Sequence, residues 1–292
     1  MENQVISPFD RRARSGELVV IFADIDEAFL KHTFTNRSAH ADEILTSERI
    51  ALVLCSSMTR AQLELAQQEL GICEPFICES GAAILIPEGY FPFDVLHDRD
   101  LPGYHVIEFG RPYPEIVARL HRTAERLATP VMGFSDKTVE QVAQERGLSL
   151  SHARLAKLRE YDEPFRLVRP SEAARNRLWR ALRASGLACI PCGSAEHVGA
   201  PVTRAAAFDL LSRLYRRAFD SVVTASCGTS ADRSSPSVHF PFLTIPPERT
   251  NEHSSPDSVQ IQHGMDRALW LETIVEIAEA ARERHLGLRR GY

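Results

Sequence analysis

The run Leu18-Val19-Val20-Ile21-Phe22-Ala23-Asp24-Ile25-Asp26 decides the reading of this chain. Its first six residues are apolar without interruption. Such a run suits a central strand of a parallel sheet, covered on both faces. It stops at Asp24, and a second carboxylate, Asp26, follows two residues on. In open α/β sheets, ligands bind outside the carboxyl ends of the strands. Two carboxylates at such an end are costly unless something neutralises them. Mg²⁺ does so well, because it takes carboxylate, carbonyl and phosphate oxygens. One carboxylate can then attack a phosphoryl group and form an aspartyl-phosphate. Asp26 is equally suited to a helix N-cap with no chemistry attached. On these residues alone the two readings stand level.

Working outward, residues 50–55 form a second apolar run, ending at Ser56-Ser57. Residues 59–70 have helical periodicity, with Leu63, Ala66 and Leu70 on one face and Gly71 as the stop. Short apolar stretches flank Glu79-Ser80-Gly81. This alternation predicts an α/β fold with a doubly wound parallel sheet. The middle of the chain reads differently. Strand-like segments at 105–109, 131–134, 165–168 and 187–192 are interleaved with helical patterns at 114–127, 138–146, 151–159 and 172–185. Together they predict an α+β module of about a hundred residues. After Gly199 the first pattern resumes: a helix over 204–219, a strand over 221–225, a Ser-rich loop over 226–237, strands near 239–245 and 259–261, and a helix over 265–285. The expected organisation is a core made of residues 15–87 and 199–292, interrupted by a cap at 88–198.

Bulk properties narrow the function. The chain has 292 residues, 44% hydrophobic, enough for a large core plus an inserted unit. Its formal net charge of −5 argues against a general nucleic-acid or anionic-membrane binder, since both need a positive field. A local basic pocket for a small phosphate ester is compatible with it. No apolar run reaches the roughly 18 residues of a membrane span. Residues 1–17 carry Arg11, Arg12 and Arg14 with no apolar stretch of secretory type, so the expectation is a cytoplasmic chain. Cys55 and Cys78 sit in apolar runs and read as small hydrophobes. Cys189 and Cys192 have C-x-x-C spacing, but no second ligand pair lies nearby, so they read as strand residues.

The wider sequence breaks the tie at Asp26, and its cap strings are the sharpest signal. Phe22-Ala23-Asp24-Ile25-Asp26, Ser56-Ser57-Met58-Thr59-Arg60 and Glu79-Ser80-Gly81-Ala82-Ala83-Ile84 resemble the haloacid dehalogenase superfamily, in its branch with a large α/β cap. Residues 134–143, from Phe134-Ser135-Asp136-Lys137, and residues 156–165, from Ala156-Lys157-Leu158-Arg159 to Glu163-Pro164-Phe165, resemble cap segments of the mannosyl-3-phosphoglycerate phosphatase family. The resemblance covers about residues 17–170. It implies Asp24 as nucleophile and Asp26 as general acid/base, the latter protonating the leaving alkoxide and then activating water. It implies Ser56 on the phosphoryl oxygens, with Ser57 and Arg60 helping to hold the substrate. Arg159 and Glu163 of the cap would face the core and read the sugar or glycerate portion. A guanidinium suits a carboxylate or phosphate because it binds bidentately. The cofactor implied is Mg²⁺, held by Asp24, Asp26 and Asp232, and the partner is a small phosphorylated sugar.

The chain departs from that pattern in four places. Glu27-Ala28 stands where the family has Gly-Thr, and Ser80 stands where it has Asn. The family's lysine before the post-cap helix falls on Thr203, with Arg204 one residue further on. The first aspartate of the family's late metal motif falls on Gly228, which leaves Asp232 as the second. Losing the cation would leave Asp24 and the incoming phosphate to repel each other. Two functions therefore follow from the sequence. One is a phosphohydrolase for a phosphorylated sugar-glycerate such as mannosyl-3-phosphoglycerate. The other is a catalytically impaired homologue that binds a sugar phosphate or a partner protein without turnover.

Overall fold

The structure is a computed structural model, and it describes residues 16–27, 29, 41–192, 195–228 and 267–290. The opening run forms strand β1 (Leu18–Asp24), whose first six residues are all buried. β2 (Ile50–Cys55) lies parallel on one side of it, and β11 (Val222–Gly228) lies parallel on the other. β1 is thus central, as an uninterrupted apolar run requires. β3 (Phe76–Cys78) continues the sheet in parallel, and β4 (Ala83–Pro87), β6 (Tyr104–Glu108) and β5 (Arg99–Leu101) extend it with antiparallel pairings. The strand order is β11-β1-β2-β3-β4-β6-β5.

Alternate residues of β1 serve opposite faces. Val19, Ile21 and Ala23 pack with α1 (Ala41–Ser47), α2 (Arg60–Leu70) and α8 (Arg267–Arg290). Leu18, Val20 and Phe22 pack with Tyr90, Phe91 and Ala207, Leu211 and Tyr215 of α7 (Arg204–Ala218). Each fully buried Val, Leu, Ile or Phe contributes about 1.5–3 kcal/mol relative to exposure. α2 begins with a reciprocal Thr59/Gln62 capping box and ends at Gly71, whose φ of 68° needs the left-handed region that glycine enters without strain. None of the helices among the described residues is long and apolar enough to cross a membrane.

A second, wholly antiparallel sheet has the order β7-β8-β10-β9, with β7 (Val131–Gly133), β8 (Asp162–Leu167), β9 (Ala188–Cys192) and β10 (Ala195–Gly199). Helices α3 (Tyr113–Arg126) and α6 (Glu172–Ala184) cover it through Ile116, Leu120, Leu178 and Leu182. α4 (Val139–Arg146) and α5 (Leu150–Ala156) form a smaller apolar cluster with Phe134. This unit is the cap.

Two expectations need correction. Residues 99–108, expected inside a cap starting at 88, pair with β4 in the large sheet. Their alternating pattern fits a half-covered strand but does not name its partner, so the first cap element is α3. The Ser-rich segment expected as a loop over 226–237 begins in strand, since β11 runs to Gly228. The rest of that loop, the strands expected at 239–245 and 259–261, and Asp232 lie outside the described residues. Cys189 lies in β9 as a free thiol, consistent with the strand reading of the C-x-x-C pair.

Candidate active site

The site forms where β1 and β2 end. Asp24 is the last residue of β1, with Cys55 of β2 and Gly228 of β11 as its register partners. Burial, reinforced by the Asp24 charge, raises the Cys55 thiol well above its ordinary value. The same two causes, burial first, push the Cys227 thiol up to about 12. Both stay protonated near neutral pH, so no thiolate competes with the carboxylate.

The guanidinium beside Asp24 belongs to Arg204. Its Nη1 donates to Asp24 Oδ2 at 2.8 Å, in a pair whose side chains are 18% and 23% exposed. Thr203, expected to occupy the family's lysine position, instead caps α7, its side chain accepting from the Ala206 N–H. Arg204 follows as the first helical residue and extends to Asp24. Its place depends on Gly81. That glycine has a φ of 98°, and a Cβ there would stand 2.9 Å from Arg204 Cα and 3.0 Å from Arg204 N. Only a residue without a side chain lets the helix start come this close. The two preceding residues, Glu79 and Ser80, also have positive φ, 45° and 61°. Three successive left-handed residues are sterically costly, and such strain persists only where surrounding contacts over-determine it.

Such contacts come from the β2 exit. Ser80 N–H donates to Ser56 O, and Glu79 N–H donates to Met58 O. Ser56 itself is buried. Its hydroxyl, expected on the phosphoryl oxygens, instead gives its one hydrogen to Ile25 O at 2.6 Å and accepts from Met58 N–H at 3.0 Å, locking the exits of β1 and β2 together. Asp26 and Asp24 are both partly exposed. Asp26 O accepts from Phe29 N–H.

Glu79 is a central residue that sequence reasoning missed. Its buried carboxylate accepts backbone N–H groups from Glu160, Tyr161 and Asp162 at 2.8–2.9 Å, and Arg159 Nε lies 3.6 Å away. The cap is thereby bolted to the core. Arg159, expected to read the sugar or glycerate portion, is buried among protein partners between cap and core. Its Nη2 donates to Ser57 O at 2.9 Å and to Asp162 Oδ1. Burial alone would raise the Asp162 carboxyl, but Arg159 and then His197 outweigh it and hold it down at about 2.

Two further expectations change. Arg60, expected on the substrate, donates to Glu160 at 2.7 Å and to Glu64 at 2.8 Å. It bridges core helix and cap, with Arg99 on the other oxygen of Glu160. Glu163, expected to face the core, turns into the cap. It is fully buried and accepts from Tyr113 Oη at 2.7 Å, and from Ser135 N and Oγ at 2.8 and 2.6 Å. Glu27, which replaces the family's glycine, pairs with Arg146 of the cap at 2.8 Å, with both side chains mostly buried. A long Arg–carboxylate pair on a replaced glycine leaves no local sequence pattern by which to find it.

Comparison with known proteins adds relatives. No family model matches the chain. It is 35% identical over 233 residues to the glucosyl-3-phosphoglycerate/mannosyl-3-phosphoglycerate phosphatase of Methanococcoides burtonii, covering 78% of this chain and 85% of that one. It is 34% identical over 144 residues to the mannosyl-3-phosphoglycerate phosphatase of Pyrococcus horikoshii, covering 49% and 58%. Among solved structures, a phosphatase of the HAD enzyme superfamily from Bacteroides thetaiotaomicron aligns with a TM-score of 0.49 and 15% identity, over 74% of this chain and 78% of that one. With likeness to the Methanococcoides burtonii enzyme spread across most of both chains, this chain belongs to the glucosyl-3-phosphoglycerate/mannosyl-3-phosphoglycerate phosphatase family.

Proposed function

We propose that the chain is a phosphohydrolase that removes phosphate from a sugar-3-phosphoglycerate, with Asp24 as nucleophile and Asp26 as general acid/base. The observation that carries this is the Arg204–Asp24 pair. The family's cation is kept, supplied one residue later. A carboxylate and an incoming phosphate carry like charge, and a guanidinium between them offsets that repulsion as charge develops.

The residues of this chain divide the steps as follows. An Asp24 carboxylate oxygen attacks phosphorus, and the phosphorus–oxygen bond to the glycerate breaks. Asp26 gives its proton to the departing alkoxide. Water then attacks the aspartyl-phosphate, Asp26 takes the water's proton, and inorganic phosphate leaves with Asp24 restored. Arg204 orients Asp24 and meets the phosphoryl oxygens. Ser56 holds the β1 and β2 exits together through Ile25 O. Arg159 positions the cap through Ser57 O.

The donor set suits Mg²⁺. Asp24 supplies a hard carboxylate oxygen and Asp26 its backbone carbonyl oxygen, and Mg²⁺ usually keeps several waters, so one carboxylate serves it. When bound, it would neutralise charge on the phosphoryl group and on Asp24. Gly228, level with Asp24 on β11, contributes no carboxylate. That register favours the second reading, a homologue that binds a sugar phosphate without turnover.

One measurement separates the two. Purified protein is assayed for phosphate release from glucosyl- and mannosyl-3-phosphoglycerate, with and without Mg²⁺, beside Asp24→Asn. Mg²⁺-stimulated release that Asp24→Asn abolishes is expected. Ligand binding without release, unchanged by Asp24→Asn, would establish the second reading instead.

A further inference from the structure

The β5–β6 hairpin carries a separate cluster of metal-type donors. β5 lies five strands from β1 in the sheet order, about 24 Å at the usual strand spacing. Asp100 and His105 face one another in the antiparallel register, so their side chains leave the same face. His97, three residues before Asp100, stacks its ring on His105 with centroids 4.2 Å apart. His97 Nε2 and His105 Nδ1 each lie 2.9 Å from Asp100 Oδ1. One ligand atom from each of the three residues falls within 4.8 Å of the others.

The His97 ring is already oriented. Its Nδ1 lies 2.8 Å from the Val95 carbonyl oxygen. A carbonyl only accepts, so Nδ1 carries the hydrogen and the neutral ring presents its lone pair at Nε2. A lone pair and a carboxylate oxygen at 2.9 Å are two acceptors face to face. They need a cation between them, either a proton or a metal ion. A carbonyl on the far ring nitrogen is also the arrangement that fixes tautomer and ring direction in metal-bound histidines. The three side chains are 26%, 70% and 31% exposed in chain order, which gives an ion a path in.

We infer that His97, Asp100 and His105 bind a divalent transition-metal ion, with Zn²⁺ the best-fitting occupant. Two imidazoles and one carboxylate suit Zn²⁺, Ni²⁺ or Co²⁺ rather than Mg²⁺, and three protein ligands leave a position for water. The ion would fasten the segment before β5 to the hairpin. On the same strand Arg99 holds Glu108, Tyr161 and the cap residue Glu160, so the ion would brace the strand on which a cap anchor stands.

The test uses the full chain with no affinity tag. Zn²⁺ is titrated calorimetrically in excess Mg²⁺, above the pH range in which imidazole protonates, and Co²⁺ absorption serves as the spectroscopic probe. One Zn²⁺ per chain is expected, retained by Asp24→Asn and by the control His121→Gln. His97→Gln and His105→Gln should each weaken binding at least about tenfold, since even outer-shell changes cost that much. They should also abolish the visible Co²⁺ bands. Circular dichroism checks folding, and Asp100→Asn replaces any variant that fails to fold. Absence of saturable Zn²⁺ binding by the parent overturns the inference. So does binding that these variants retain in full.

Discussion

Arg204→Ala isolates the interaction on which the proposed activity depends. At 2.8 Å, in an effective dielectric of about 20, the Arg204–Asp24 attraction is about 6 kcal/mol before desolvation and ordering are subtracted. The relevant remainder is what survives in the transition state, where negative charge spreads over the phosphoryl oxygens. Removing one preorganised donor from such a position costs about 3–4 kcal/mol, or roughly 10²–10³ in kcat. Arg204→Ala should therefore lower kcat by that factor, with a smaller change in KM. Arg204→Lys keeps the charge but loses the planar fork, and should fall between the two. The assay is phosphate release at saturating Mg²⁺, with circular dichroism to confirm that α7 persists. If Arg204→Ala keeps kcat within about threefold of the parent, Arg204 is not the catalytic cation and the reasoning fails.

Three more outcomes follow from the geometry. Gly81→Ala places a Cβ 2.9 Å from Arg204 Cα in a left-handed backbone; a loss of about 1–3 kcal/mol by urea unfolding and a fall in kcat are expected together. Glu79→Gln turns one oxygen of a carboxyl that accepts three backbone N–H groups into an NH₂ donor, and should cost about 1–3 kcal/mol by the same measurement. The Asp162 carboxyl is depressed from 3.8 to about 2, so its stabilisation is complete above about pH 4 and is lost as pH falls toward 2; Asp162→Asn should flatten that acid limb in a stability–pH series, and an unchanged slope would count against the Arg159–Asp162–His197 cluster as its source.

Much of the core was legible because its signals are local. The uninterrupted run of residues 18–23 suits a strand covered on both sides, and the stop at Asp24 follows from where β1 leaves the sheet. The confusion between Thr203 and Arg204 was resolvable in principle, because threonine at a helix start is a capping residue and the next side chain is the one free to reach outward. The placement of residues 99–108 was not resolvable in that way, because alternation specifies a covered face and not a neighbour. Arg60 and Glu163 were misassigned for a similar reason. A charged residue near a motif has a choice of partners, and the partners that won, Glu160 and Ser135, sit 100 and 28 positions away. Glu79 went unread because its partners are backbone groups, which leave no mark in side-chain spacing.

Three adjacent peptide groups converging on one Glu79 carboxylate also constrain how the cap can move. Pulling residues 160–162 directly off the core would break all three bonds at once, together with the approach of Arg159. Rotation about that point strains them least. Glu79 is then a fulcrum, and displacement grows with distance from it along the cap. The Glu27–Arg146 pair stands immediately after Asp26, at the rim of the catalytic strand end. The Glu27–Arg146 pair and the Thr59 Oγ1–Leu155 O bond are further core–cap contacts that oppose such a rotation.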